Sequence, residues 1–204
     1  MTGLFNTIYG MLYPVLSGIL YNLPMSNFSV FYVTICNQIR SEILSFQKIL
    51  KSNSDYERLL QIYSDIKSRV EAIDDQISIL VFISIVDNSL AMYIFLHTLL
   101  EEDTVYHYKF VKISFFFTIT FLTFIAITVS ASMVSEASLV VASTSRCLSS
   151  TTMASALILQ RLLTCLEKEI CLTVWKIVPI KRNFIIGTMG AVLTYVVLFY
   201  SLNI

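Results

Sequence analysis

Asp87 stands beside Asn88 within residues 77–100, a run that holds no other Asp, Glu, Lys or Arg. A charge in so apolar a run is costly, so it faces a bundle interior or water. Two chemistries are open for it. It can contact a ligand or an ion, or it can be a carboxyl kept neutral or hydrogen-bonded by Asn88, Ser84 or a neighbouring helix. Glu136, amid Ser130, Ser132, Ser135 and Ser138, poses the same choice. It lines a pore or bonds between helices, or it is solvated at an interface. His97 and His107 flank the acidic Glu101-Glu102-Asp103 and read as solvated side chains.

Nothing in the chain has the spacing of a catalytic or metal centre. Cys36, Cys147, Cys165 and Cys171 form no C-x-x-C pair, and no His lies near them at ligand spacing. They read as free thiols or small apolar packers. There is no Ser/His/Asp or Cys/His set, no phosphate-binding glycine loop and no H-E-x-x-H. The reading is therefore not an enzyme, with no cofactor and no metal. The sequon Asn27-Phe28-Ser29 lies within an apolar helix, where its use is not expected. Ser149-Ser150-Thr151-Thr152 is a phosphorylation candidate or simply a helix start.

Two further groups suit binding or conduction. Tyr93, Phe95, Phe115, Phe116, Phe117, Phe121 and Phe124 cluster in two neighbouring apolar runs. Facing inward they form an apolar pocket, with Asp87, Tyr93, Phe116 and Phe121 as its ligand-contact candidates. Facing outward they are lipid contacts. Near the C-terminus, Gly187, Gly190 and Ala191 are small residues that allow close helix packing. Thr188, Tyr195 and Ser201 fall toward one side of that same helix. A hydroxyl stripe of this kind suits a water-lined pathway, and equally interhelical hydrogen bonding.

The elements that position these residues follow from composition. The chain is 56% hydrophobic and 14% charged, with mean hydropathy +0.74. Soluble domains carry about 25% charged residues. A bilayer resolves the shortage of polar surface, so the expected fold is all-α: a multi-pass transmembrane helix bundle. Zero net charge gives no basic surface for nucleic acid. Expected spans are 4–37, one helix kinked at Pro24, then 77–100, 110–142 and 184–203. Dividing 4–37 at Pro24 would leave a second helix too short for a span of about 20 residues. Between spans, Ile39, Ile43, Phe46 and Leu50, then Leu59, Ile62, Ile66, Val70 and Ile73, recur at helical spacing. Residues 38–76 are thus an amphipathic hairpin turning near Lys51–Asp55, with Ser54 or Asp55 as cap. Its apolar stripe requires other helices or another subunit. A further helix is expected over 153–172, with Pro179 beyond it.

Lys and Arg set the orientation. The three linkers and the tail carry six, two, six and none of the chain's 14. The two basic linkers are expected to be cytoplasmic, and the acidic loop and the C-terminus outside. Met1 then also falls outside, and residues 1–21 lack the positive start of a signal peptide. The chain is therefore expected to be the C-terminal part of a longer receptor-like protein.

The run Gly190–Ser201 is similar to the final helix of arthropod gustatory receptors, whose signature is Thr-Tyr, five apolar residues, then Gln-Phe. Thr194 and Tyr195 match, five apolar or aromatic residues follow, and Ser201 and Leu202 stand where Gln and Phe are usual. Leu172-Thr173 and Lys181-Arg182-Asn183-Phe184 resemble the approach to that helix. Ile73–Ser78 with Leu80-Val81-Phe82 resembles the start of the family's fifth helix. The resemblance covers nearly the whole chain, as helices four to seven of seven. It implies a plasma-membrane, ligand-gated, non-selective cation channel for small-molecule tastants, a homo- or hetero-tetramer with other chemoreceptor subunits. It also implies that the cytoplasmic helices form the anchor between subunits and that the last helix lines the pore, with Thr188, Tyr195 and Ser201 as candidates. A G-protein-coupled receptor fragment is opposed by the charge alternation and by the lack of Asn-Pro-x-x-Tyr. A transporter is opposed by the lack of inverted repeats or Gly/Pro-broken helices.

Overall fold

Hydrocarbon offers no partner to a peptide group, so a single apolar segment crosses it as a helix. The computed structural model describes residues 2–52, 55–101, 107–145 and 153–202, and the side chains of 23–52, 55–100, 110–145 except Lys112, and 157–201. Five helices occupy almost all of this: α1 (Thr2–Ser52), α2 (Tyr56–Glu101), α3 (His107–Ser145), α4 (Met153–Glu167) and α5 (Arg182–Leu202). Among the described residues α2, α3 and α5 are long and apolar enough to cross a membrane. Glu102 and Asp103 of the acidic loop, the side chain of His107, Ser54, Cys147 and the Ser149–Thr152 cluster lie outside the described residues.

α1 runs through Pro24 as one helix of 51 residues. At 1.5 Å per residue it is about 75 Å long, against a hydrocarbon core of about 30 Å. α2, with 46 residues, is of similar length. Both therefore extend well beyond any bilayer they cross. Asp55 starts α2. Its carboxylate accepts from Arg58 N–H at 3.3 Å and its carbonyl from Leu59 N–H at 3.1 Å, which satisfies donors that a helix start leaves open.

One continuous core joins the elements. Ile39, Ile43, Phe46 and Leu50 of α1 are buried, as are Leu59, Tyr63, Ile66 and Val70 of α2. Val134, Ala137 and Val141 of α3 and Leu162 and Leu166 of α4 complete that end of the bundle. The amphipathic stripe of 38–76 is thus covered by helices of its own chain. Phe46 and Tyr63 meet across α1 and α2 with ring centroids 5.4 Å apart. Gln47 Nε2 donates to Thr144 Oγ1 at 2.9 Å, tying α1 to the end of α3.

The helix expected over 153–172 stops at Glu167. The physical reason lies in its neighbours, which take up the backbone groups that follow. Tyr63 OH donates to Lys168 O at 3.4 Å. Ile170 N–H donates to Ser138 Oγ at 2.9 Å, and Thr173 N–H to Asp74 Oδ1 at 2.9 Å. The chain then forms a small antiparallel hairpin, β1 (Thr173–Val174) and β2 (Val178–Pro179), pairing Thr173 with Pro179 and Val174 with Val178. Trp175 and Lys176 at its tip have φ of 50° and 56°, which costs a non-glycine residue about 1–2 kcal/mol. Trp175 N–H bonds to Ser78 O at 3.2 Å and holds the turn against α2.

Truncating the buried Phe46 to Ala is expected to lower stability by about 3–5 kcal/mol. Gln61→Ala, at an exposed position of α2, should stay within about 0.5 kcal/mol. Thermal loss of the monodisperse peak in detergent measures both. Equal losses for the two variants would contradict this core.

Candidate functional site

α5 is attached to the rest of the chain along one side. Of its described side chains only Val192 and Val196 are buried, at 7% and 3% exposure. Its first residue is fixed by a two-pronged pair, with the Arg182 guanidinium donating to both carboxylate oxygens of Glu136 on α3. Lys181 pairs with Glu169, and that hydrogen bond holds the Lys181 ammonium above its ordinary pKa. Glu136 is therefore an anchor for α5, and Ser138, two residues on, receives the Ile170 amide.

The segment leading into α5 is fastened in the same way. Asp74 accepts twice from Thr173, from N–H at 2.9 Å and from Oγ1 at 2.5 Å. Lys176 Nζ lies 2.7 Å from Asp75 Oδ1. Cys171 lies nearby, half-buried, and burial pushes its thiol up while Lys181 pulls it down. Less thiolate makes it a poorer nucleophile. No motif spacing marks this network, because its partners on α2 and α3 lie 32 to 101 residues away in sequence.

A groove of about 490 Å³ runs between α2 and α5. α2 contributes Ile85, Val86, Ser89, Leu90 and Tyr93, and α5 contributes Thr188, Ala191, Val192, Tyr195 and Phe199. The Tyr93 ring stands edge-on to Phe199, centroids 6.1 Å apart. The groove thus unites Tyr93 with Thr188, Ala191 and Tyr195. It does not include Asp87, Phe116 or Phe121. Asp87 is half-buried on α2, and the amide of its neighbour Asn88 donates to Ser84 O at 2.7 Å. Phe116 stacks on Phe95 at 6.3 Å, and Phe121 on Phe117 at 6.0 Å.

Three aliphatic hydroxyls of α5 bond back to their own helix. Thr188 donates to Phe184 O at 2.9 Å, Thr194 to Gly190 O at 2.8 Å and Ser201 to Leu198 O at 2.8 Å. A hydroxyl that has spent its one proton offers only acceptor lone pairs. Such a surface can solvate a cation. Gly187 and Gly190, expected as packing residues, face open space among the described residues of this chain. A Cβ added at either meets no atom within 4 Å, so neither glycine permits a close helix approach inside this chain. Ala191 is exposed at the groove.

Long helices of which three can cross a bilayer, a bundle closed by buried side chains at one end, and a last helix held on one side define a multi-pass helical membrane protein. A family profile described as trehalose receptor matches residues 27–203, and the chain belongs to that family of insect gustatory receptors. Its fold is similar to the solved structure of the insect olfactory receptor OR5 from Machilis hrabei in complex with eugenol. The TM-score is 0.74 at 16% identity, over 97% of this chain and 53% of the other. The chain therefore spans about half the length of that receptor. No match was found among curated proteins.

Asp74→Ala leaves the Thr173 amide without its acceptor, at a cost of about 1–3 kcal/mol. Amide exchange across 170–176 is expected to accelerate roughly ten- to hundredfold. Exchange unchanged in that segment would remove Asp74 from its anchoring role.

Proposed function

We propose that this chain is a gustatory-type chemoreceptor subunit, contributing what corresponds to helices four to seven of a ligand-gated, non-selective cation channel. A small molecule is its ligand, and a tetramer with like or related subunits is its working form. One observation carries the reading beyond family membership. α5 is packed along a single side, and among the described residues Gly187 and Gly190 face open space while Thr194 and Ser201 are exposed. A helix arranged around an axis shared by several subunits needs such a free surface. On this reading Ser201 offers its acceptor oxygen to a hydrated or partly dehydrated cation from the free surface, and Thr188 and Tyr195 do so from the open groove beside α2.

Ligand occupancy reaches α5 through Tyr93 in this scheme. An edge-to-face aromatic pair is worth about 0.5–1.5 kcal/mol, which is roughly two- to tenfold in a gating equilibrium. Recording ligand-evoked current from cells expressing the chain, alone and with related subunits, tests the proposal. Tyr93→Leu should shift the half-maximal ligand concentration by roughly two- to tenfold. Thr188→Val and Ser201→Ala should alter cation permeation or open time. No evoked current in any combination would overturn the channel reading, and unchanged currents in all three variants would remove these residues from it.

The alternation of Lys and Arg supports an orientation with the 38–76 hairpin and α4 in the cytoplasm and Ile204 outside. A tag placed after Ile204 should stain on intact cells of the plasma membrane. Staining only after permeabilisation would reverse the orientation.

A further inference from the structure

We propose that the tip of the β1–β2 hairpin is a lipid-binding anchor, seated in the headgroup region of the leaflet at which α2 passes from its charged half into its apolar half. The inference needs only that α2 and α5 cross a bilayer. It does not depend on the channel reading.

The tip exposes what a water-facing turn avoids. Trp175 is 50% exposed, Ile177 72%, and Val178 is exposed as well. Its depth follows from its attachments to α2. Trp175 N–H bonds to Ser78 O, and the indole ring lies 5.0 Å from the ring of Phe82. Asp75 is the last charge on α2 before the long apolar run. With a rise of 1.5 Å per residue, Ser78 lies about 4–5 Å and Phe82 about 10 Å beyond it. Interfacial segments bury their apolar side about 5–10 Å into the boundary between headgroups and acyl chains. The tip sits in that window.

Lys176 points the other way. Between Trp175 and Ile177 in sequence, it returns its ammonium to Asp75 at 2.7 Å. A cation that reaches back toward water beside a tryptophan and an isoleucine that do not is how side chains sort at a membrane surface. Ile79, Leu80 and Ile83 are exposed on α2 next to Ser78 and Phe82. They carry the apolar surface of the tip without interruption into the membrane-crossing surface of α2. That continuity selects lipid as the occupant. The consequence is a fixed depth for the start of α5, three residues after β2.

Trp175 is the chain's only tryptophan, so fluorescence excited selectively at tryptophan, beyond tyrosine absorption, reports the tip alone. The full chain is reconstituted into phosphatidylcholine–phosphatidylglycerol vesicles and quenched with acrylamide, or with lipids brominated at shallow or deep acyl positions. Shallow bromines are expected to quench at least twofold more than deep ones, with acrylamide quenching several-fold below that of free tryptophan. Ile177→Asp should at least halve the quenching by shallow bromines. Full acrylamide quenching without a bromine effect would place the tip in water. Quenching by neither reagent would mean that protein, such as a second copy, covers it. Strongest quenching by deep bromines would place it below the headgroups. Each of these three overturns the anchor, as does an Ile177→Asp chain that is quenched like the original.

Discussion

A peptide group in hydrocarbon has no water to bond, and each one left unpaired costs several kcal/mol. The architecture of this chain follows from that constraint. Its membrane-crossing segments are helices because a helix pairs its backbone within itself. The hydroxyls on those helices follow the same economy. Ser89, Thr98, Thr118 and Thr128 donate to carbonyls four residues back, so polar side chains sit in an apolar element without an external partner. The chain leaves helix between Glu167 and Arg182, where α2 and α3 supply the missing bonds from Asp74, Ser78 and Ser138.

That departure links two regions that differ in their packing. On one side lies the bundle of α1, α2, α3 and α4, with large side chains such as Phe46, Tyr63 and Leu162 fully buried. On the other lies α5, held by Val192, Val196 and the Glu136–Arg182 pair. A helix so lightly held in its own chain can change its tilt at small energetic cost, while its first turn stays fixed by charge. Removing two ions from water is expensive in an apolar interior. The pairs of Arg182, Lys181 and Lys176 are instead partly exposed, and they avoid most of that cost.

Much of the fold was legible in residue order because it rests on periodicity. Ile39, Ile43, Phe46 and Leu50 are apolar at helical spacing, and the burial of each follows from that pattern. The family was legible from Thr194 and Tyr195 with the run after them. What was not legible depends on partners distant in sequence. Leu162 and Leu166 mark a helix, yet nothing in Lys168–Leu172 announces that Tyr63 and Ser138 will capture its backbone. Gly187 and Ala191 have the spacing of a packing motif, with Gly190 adjacent, but spacing does not say which side of α5 meets α2. Asp87 attracted notice as a lone charge, whereas Glu136 and Asp74, each near several other polar residues, hold the elements together. The aromatic residues divided for the same reason. Tyr93 reaches Phe199, while Phe116 and Phe121 are stacked on neighbours elsewhere.

α2 runs from its charged half into its membrane-length apolar half without a break, α1 runs unbroken beside it, and long rods of this kind are levers. A rod of about 70 Å that pivots by 5° at one end moves its other end by about 6 Å. The rods meet near Ser52 and Tyr56, at the far end of the bundle from the groove. A small tilt of α2 imposed beside Tyr93 would therefore be magnified at the Ser52–Tyr56 turn, and a force applied at that turn would return to the other end with mechanical advantage. The unbroken helix from Tyr56 to Tyr93 is what would transmit it: a flexible joint there would absorb the motion.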